Sequence, residues 1–541
     1  MSRVTEDRDA ILILGGGTMQ LPAIREARNL KLCVHVADGN PECPGRNEAD
    51  HFHNVDLRDR PGLVECAGKI PRLRGVFTAG TDFSTSVAAV SDALRLPGVS
   101  APVARAATDK GEMRRRLSAA GVRVPAFQIF SGADSITPTT VDRAIQSLGL
   151  PVVCKPVDNM GARGVQLAES LDGALAALQA AQKLSPSKTA IIEQRIDGPE
   201  FSLDAVVVEG RVRITGIGRR HVFFPPYFVE LGHTIPADLA AAETAALEET
   251  FTAAIHAIGI RSGAAKGDVF LQPAADGNPV AVVGEIAARL SGGYMSGWTY
   301  PIATGVPLTR LALRISLGET PSSKEFLPRR HRVSAERAVL SIPGTVAAVE
   351  LPDGWRDGVT LPCGVEALFL TCRVGDQVAP PRNNVEKVAN VIAAGNTAAE
   401  ADKRAVDAVD QIRVRLRRDD PSTMEYLCST GWNGPWARYT MQASDLALLA
   451  DRPHYAGSPV LAAPLPVRRW SDRRRAPLMY TDQPLPCADE LLQRLELEGL
   501  VRFAAQEPAL DGLFWRAFLA GGRQGVEHLL NLKLEDLPCG A

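Results

Sequence analysis

Net charge is almost absent from this chain. Its 60 lysines and arginines face 62 aspartates and glutamates, leaving -2, so no global field favours nucleic acid or a membrane surface. No apolar run is long enough to cross a bilayer; the longest candidates, residues 205–208 and 280–283, are strand-sized. The first ten residues are charged and lack the apolar core of a signal peptide. The nine cysteines are scattered with no CxxC pair, which argues against a zinc ribbon or a disulfide framework and for buried, reduced thiols. There is no internal repeat and no low-complexity tract. These absences point to a cytoplasmic protein with neither a membrane nor a nucleic acid as partner.

What is present suits a soluble enzyme: 45% apolar and 23% charged residues. With 541 residues, three or four domains are expected. Apolar runs at 11–14, 32–36 and 76–77 are interleaved with helical patterns, as in a parallel sheet with crossover helices. A helix is expected over 109–120 with Gly121 as its stop, and an alanine-rich one over 172–184. Strands are expected at 152–155, 165–168, 190–193, 202–208, 264–271 and 281–287, the last two joined by a turn at 275–278. A long helical stretch covers 239–258. The proline- and aromatic-rich segment 219–233 reads as a loop. Strands at 332–341 and 367–373, closed by a helix over 398–414, make a smaller antiparallel unit. The charged run 415–420 before Pro421 looks like a boundary. Beyond it lie Trp432, Trp436 and Trp470, and a final helical stretch holding Trp515.

Three segments carry chemistry. In the first, a strand ending at Lys155 feeds the loop Gly161-Ala162-Arg163-Gly164 and then a second strand. Glycines let backbone N–H groups approach phosphate oxygens, and the lysine adds a point charge. A Walker loop is excluded, because GKS/T is absent and no helix follows; a hairpin turn with a surface lysine is the plain alternative. In the second, Glu193-Gln194-Arg195-Ile196 leads through Asp197-Gly198-Pro199 to Glu200. Backbone groups of such a connector can pair with an adenine edge, and a carboxylate can accept from ribose hydroxyls; two solvated acids are the alternative. In the third, Asp268 and Glu285 stand on adjacent expected strands and could hold one or two magnesium ions, while Arg289 can clamp an oxyanion bidentately. A cross-strand acid pair without metal is the alternative here. The N-terminal Gly15-Gly16-Gly17 with Asp38 suggests a dinucleotide turn, but the third glycine of that fingerprint falls at Gln20.

In this order the segments resemble the ATP-grasp superfamily, which includes D-alanine–D-alanine ligase, biotin carboxylase and the L-amino-acid ligases. The similarity runs from about residue 11 to 414. It implies an α/β (α+β multidomain) architecture. A Rossmann-like pre-ATP-grasp domain would cover 1–106 and the ATP-grasp domain 107–322, with a mobile lid over about 122–192. A small biotin-carboxylase-C-like domain would cover 323–415, followed by an unassigned α-rich region at 421–541. Residue by residue, Lys110 and Lys155 resemble the lysines on the ATP phosphates, and Gly161, Ala162, Arg163 and Gly164 the lid over them. Glu193, Gln194 and Ile196 resemble the adenine hinge, and Glu200 the ribose acid. Asp268 and Glu285 resemble the carboxylates that bridge magnesium, or manganese in its place. Arg289 resembles the arginine that steadies the transferred phosphoryl group.

Two departures stand out. The family's Glu-x-Asn-x-Arg reads Glu285-Ile286-Ala287-Ala288-Arg289, so Ala287 offers no metal ligand, and the first acid is an aspartate. The stretches around 228–233 and 288–293 resemble those of amino-acid ligases, with Glu230 or His233 meeting an amine and the backbone of Ser291, Gly292 and Gly293 meeting a carboxylate. The resemblance implies an ATP- and magnesium-dependent ligase that activates a small carboxylate as an acyl phosphate and joins it to an amine, and it leaves room for a homodimer. A bicarbonate-activating carboxylase and a non-catalytic nucleotide-binding module are the alternatives.

Overall fold

The computed structural model describes residues 8–428, apart from 133–134, 224–225, 274–276 and 356–360, together with 524–525 and 528. They fall into two units. The first comprises the chain up to Val222, Pro226–Glu336 and Ala394–Ala398; the second comprises Phe223, Arg337–Ala393 and the chain from Ala399 onward. Expectations about Trp432, Trp436, Trp470, Trp515 and the first half of the 275–278 turn lie outside the described residues.

The first unit opens with β1 (Ala10–Leu14), α1 (Leu21–Asn29), β2 (Cys33–Asp38), β3 (His51–Asn54), α2 (Arg60–Gly68) and β4 (Leu73–Phe77). The four strands are parallel in the order β3-β2-β1-β4. Every residue of β1 is buried. Ile11 and Ile13 pack with Ile24 and Ala27, while Leu12 and Leu14 pack with Leu63 and Ala67. Cover on both faces explains an uninterrupted apolar run where a one-sided strand would alternate. α3 (Ser84–Leu94) and α4 (Ala101–Ala106) follow. The glycine turn is filled by its own chain: Gly16 N donates to Asp38 Oδ2 (2.7 Å) and its carbonyl accepts from Gly45 N (2.7 Å). A Cβ on Gly16 would stand 2.4 Å from Cys43 Sγ, so the dinucleotide-like spacing builds a packed turn.

α5 (Lys110–Ala119) starts where Asp109 accepts from Glu112 N at 2.9 Å, and Gly121 in the left-handed region follows its end. A second sheet holds β5 (Phe127–Ser131), β6 (Val152–Pro156), β7 (Gln166–Ala168) and β8 (Thr189–Gln194), in the order β5-β8-β6-β7. α6 (Pro138–Leu148) and α7 (Leu171–Leu184) supply the rest of its core. A third run of strands is ordered β13-β12-β9-β10-β11: β9 (Glu200–Val208), β10 (Arg211–Phe223), β11 (Val229–Ile235), β12 (Gly263–Pro273) and β13 (Pro279–Ala287). α8 (Ala241–Ile258) joins β11 to β12 and brings Phe251 so near Gly267 that a Cβ there would stand 2.6 Å from the ring. α9 (Tyr300–Thr304) and α10 (Leu308–Ser316) pack with the first sheet's core.

β14 (Val333–Val339) leads into the second unit, which holds β15 (Gly344–Glu350), β16 (Val365–Leu370), β17 (Gln377–Val378), most of β18 (Ala389–Gly395), most of α11 (Ala398–Val409), β19 (Arg413–Leu416) and α12 (Pro421–Cys428). β15 pairs antiparallel with β17 and β19, and β16 with β18. Asp420 ties this unit by accepting from Thr345 N and Oγ1, both at 2.6 Å. Among the described residues, no helix is long and apolar enough to cross a membrane.

Two expectations need correction. The helix expected over 398–414 ends at Val409; a turn follows, and Val414 lies in β19. Val414 and Leu416 are buried between partly exposed arginines, a two-residue period that belongs to a strand. The loop expected over 219–233 is largely strand, the end of β10 and most of β11, with Pro226 in the connection between them.

Candidate functional site

The sheet's alternation divides its side chains. Phe201, Leu203 and Ala205 of β9, with Ala265, Val269 and Leu271 of β12, enter the core around α8. Ser202 and Asp204, and Lys266 and Asp268, occupy the intervening positions and so turn to the opposite face. The antiparallel register places Asp268 opposite Glu285, Lys266 opposite Ala287, and Ser202 on the far side of Asp268. The acids of the two strands are therefore cross-strand neighbours.

Cations gather around them. Lys110 Nζ lies 3.5 Å from Glu285 Oε1 and donates to the Asn159 carbonyl at 3.0 Å, linking the start of α5 to the glycine loop. Lys155 Nζ lies 2.6 Å from Glu193 Oε2. Burial works to raise the Glu285 carboxyl, but Lys110, Lys266, Arg289 and Lys155 outweigh it and hold the group well below the ordinary glutamate range. Burial lowers the Lys155 ammonium; Arg114 and Lys110 add to this and Glu193 opposes it.

A second knot lies beside the first. Arg220 of β10 is ion-paired with Glu200, with Glu230 (2.8 Å) and with Asp268 (3.0 Å), and Lys266 is paired with Asp268 as well. Three carboxylates thus share two cations. Burial pushes the Glu200 carboxyl up to about 7, with Asp268 and Glu230 adding to the rise against Arg220 and Lys266. Physically, a desolvated cluster with one anion in excess keeps a proton.

The structure thus brings Lys110, Lys155, Glu193, Glu200, Glu230, Asp268, Glu285 and Arg289 into one connected charged assembly. The glycine loop flanks it. Gly161, Ala162 and Gly164 all have positive φ, at 67°, 60° and 77°, while Arg163 is exposed. Gln194 is exposed, Ile196 is half-buried, and the Gln194 N–H donates to the Ala126 carbonyl. Ser291 is bound through its N–H (2.9 Å) and its hydroxyl to Asp204. Gly292 lies against the backbone of Gly80, and Gly293 has open space beside it. His233 stands apart, wholly buried, with Nε2 2.7 Å from Thr299 Oγ1 and Nδ1 3.5 Å from Glu336.

Four members were not singled out from the sequence. Arg114, fully buried, binds Glu193 through Nε (2.8 Å) and Nη2 (3.2 Å) and donates to the Gly284 carbonyl at 2.7 Å. Arg220 and Lys266 are the knot's cations. Asp82 follows β4; burial raises its carboxyl, Arg289 and Lys110 oppose this, and Glu285 adds to it. The Ala79–Leu290 bridge brings that loop beside Arg289. Lys266 alone had a usable sequence signal, two residues before Asp268 on the same strand face.

Residues 148–296 match the ATP-grasp domain family, and residues 338–417 match L-amino acid ligase C-terminal domain 2. An uncharacterised protein of Sinorhizobium fredii is 25% identical over 68% of this chain and 73% of its own length. Carnosine synthase 1 of Gallus gallus is 25% identical over 59% of this chain, and a D-alanine–D-alanine ligase of Gloeobacter violaceus is 30% identical over 32% of it. The chain spans 36% and 56% of those two proteins. An L-amino acid ligase structure from Bacillus licheniformis matches with a TM-score of 0.63 and 21% identity over 76% of this chain and all of that one, a likeness of fold. Residues 148–296 thus carry the likeness of an ATP-grasp domain, and residues 338–417 that of an L-amino acid ligase C-terminal domain.

Proposed function

We propose that this chain is a ligase that uses ATP to activate a small carboxylate and join it to an amine. The observation that carries the reading is the convergence of Lys110, Lys155, Lys266 and Arg289 on the single ionised carboxylate of Glu285, beside a glycine loop. The positive charge gathered around Glu285 suits the terminal phosphates of a nucleotide. Glu193, Gln194 and Ile196 line the adenine end, with Glu200 at the ribose.

The residues also fit a divalent ion. Glu285 stays ionised, and its side chain is 29% exposed. Across the strand, Asp268 presents a buried Oδ1 without a hydrogen-bond partner, its Oδ2 being held by Lys266 and Arg220. Ala287 supplies no donor, so Glu285 and Asp268 would hold magnesium between them. Bound there, magnesium would offset phosphate charge and polarise the oxygens of the transferred group.

In the first step a carboxylate oxygen of the substrate attacks the γ-phosphorus. The bond from that phosphorus to the bridging oxygen breaks, giving an acyl phosphate and ADP. Catalysis lies in positioning and in charge stabilisation by Lys155 and Arg289. The 161–164 loop keeps water from the acyl phosphate. In the second step the amine nitrogen attacks the acyl carbon, the carbon–oxygen bond to phosphate breaks, and the nitrogen loses a proton. Glu230 stands within this assembly to receive the amine, and the backbone of 291–293 to receive the carboxylate. A homodimer and a cytoplasmic location are part of the same reading.

Phosphate release from ATP and magnesium, screened against a panel of amino acids with mass detection of ligated products, tests it. A product that requires both a carboxylate and an amine is expected. Phosphate release that follows bicarbonate and ignores amines would replace this reading with a carboxylase. Nucleotide binding without turnover across the panel would leave a binding module.

A further inference from the structure

The first sheet carries a cluster that nucleotide chemistry does not use. Cys33 and His35 sit two residues apart on β2 and so share a face. In the parallel register His51 of β3 lies opposite His35, and His53 lies opposite Ala37, on that same face. Cys33 and His35 are buried, at 4% and 7% exposure, while His51 is exposed at the edge of the sheet. One ligand atom each from Cys33, His35 and His51 lies within 4.8 Å of the others.

The spacing of Cys33 and His35 is that of two ligands on one ion, and the His51 ring stacks beside His35 with centroids 4.5 Å apart. Cys33 Sγ and His35 Nε2 are 3.6 Å apart. A Zn–S bond of about 2.3 Å and a Zn–N bond of about 2.1 Å at the tetrahedral angle separate sulfur and nitrogen by about 3.6 Å. The other nitrogen of His35, Nδ1, is 2.9 Å from His53 Nε2. Such a partner fixes the tautomer and points Nε2 at the ion.

We propose that Cys33, His35 and His51 bind one zinc-type divalent transition ion, with His53 orienting His35 and solvent at the fourth position. The thiol loses its proton on binding, and the ion pins the edge strand β3 to β2. Sulfur and imidazole donors select this class of ion over magnesium, so the site is separate from the carboxylates of the nucleotide cleft.

Cobalt(II) tests the assignment, because a thiolate–cobalt bond absorbs in the near ultraviolet and carboxylate–cobalt bonds do not. The full-length chain, stripped by a chelator, should develop that band to saturation at one equivalent and lose it when zinc is added. Cys33→Ser should abolish the band. His51→Ala, at an exposed position, should weaken cobalt binding at least tenfold with an unchanged circular dichroism spectrum, and His53→Gln should weaken it about 10- to 100-fold. Absence of the band in the wild-type chain, its persistence in Cys33→Ser, or unchanged affinity in His51→Ala would each overturn the proposal.

Discussion

Arg114→Met removes a fully buried guanidinium and separates structural from catalytic charge. In the native trio, two cations, Arg114 and Lys155, surround one anion, Glu193. Methionine deletes two hydrogen bonds to Glu193 and strands the Gly284 carbonyl that accepts from Arg114. A partly buried acceptor left without its donor costs at the low end of about 1–3 kcal/mol, and breaking a buried ion pair from one side costs about 3–5 kcal/mol. Glu193 nevertheless keeps Lys155, so the loss belongs at the lower end, about 3 kcal/mol. Glu193→Gln is the harsher change, since it leaves two buried cations facing one another, and about 5 kcal/mol is expected. The double variant restores a single buried cation and should recover about 2–3 kcal/mol relative to the sum of the two. Urea titrations read by hydrogen exchange at β8 and β13 report on the strands that carry the trio. With Arg114 gone, Lys155 is drawn to Glu193 alone, so affinity for ATP should fall as well. An Arg114→Met cost below about 1 kcal/mol, or one above that of Glu193→Gln, would show that the charge count does not govern this cluster.

Two further outcomes follow from the same region. The Glu200 carboxyl is raised from an ordinary 4.5 to about 7, so the folded state holds a proton that the unfolded chain releases. Its contribution is fully present below about pH 4.5 and is lost as pH rises through about 7, on the order of 3 kcal/mol for the Glu200–Glu230–Asp268 cluster as a whole; comparing unfolding free energies at pH 5 and pH 8 should show this fall in the wild-type chain and a flatter difference in Glu200→Gln, and equal slopes would sink the assignment. Gly198→Ala should cost about 2–4 kcal/mol, because its Cβ would stand 2.0 Å from the Leu271 carbonyl, a backbone atom at the tip of β12; a thermal midpoint unchanged from wild type would show that the connector moves aside freely.

The placement of the charged residues was legible wherever it depended on spacing along one strand or loop. Lys155 before the glycine loop, Asp268 and Glu285 on adjoining strands, and Arg289 where β13 runs out are all local facts, and the sheet carries them to one place. What could not be read was charge partnership across elements. Arg114 lies one helical turn after Lys110, so the sequence shows two cations on one helix face, an arrangement that looks repulsive until Glu193 arrives from β8, 79 positions away. Arg220 lay in a segment whose prolines and aromatics suggested a loop. Its place in β10 emerges only when β9 and β10 pair and bring it to Glu200. The same limit explains the helix carried too far beyond Val409: the burial of Val414 and Leu416 depends on β15, a partner more than sixty residues earlier in the chain. Acids that a motif marks for ribose or metal are thus, in the folded chain, already half-neutralised by cations that no motif marks. On the proposed reading, Arg114→Met, Arg220→Met and Lys266→Met should each weaken ATP binding as much as changes at the residues that resemble the family's own.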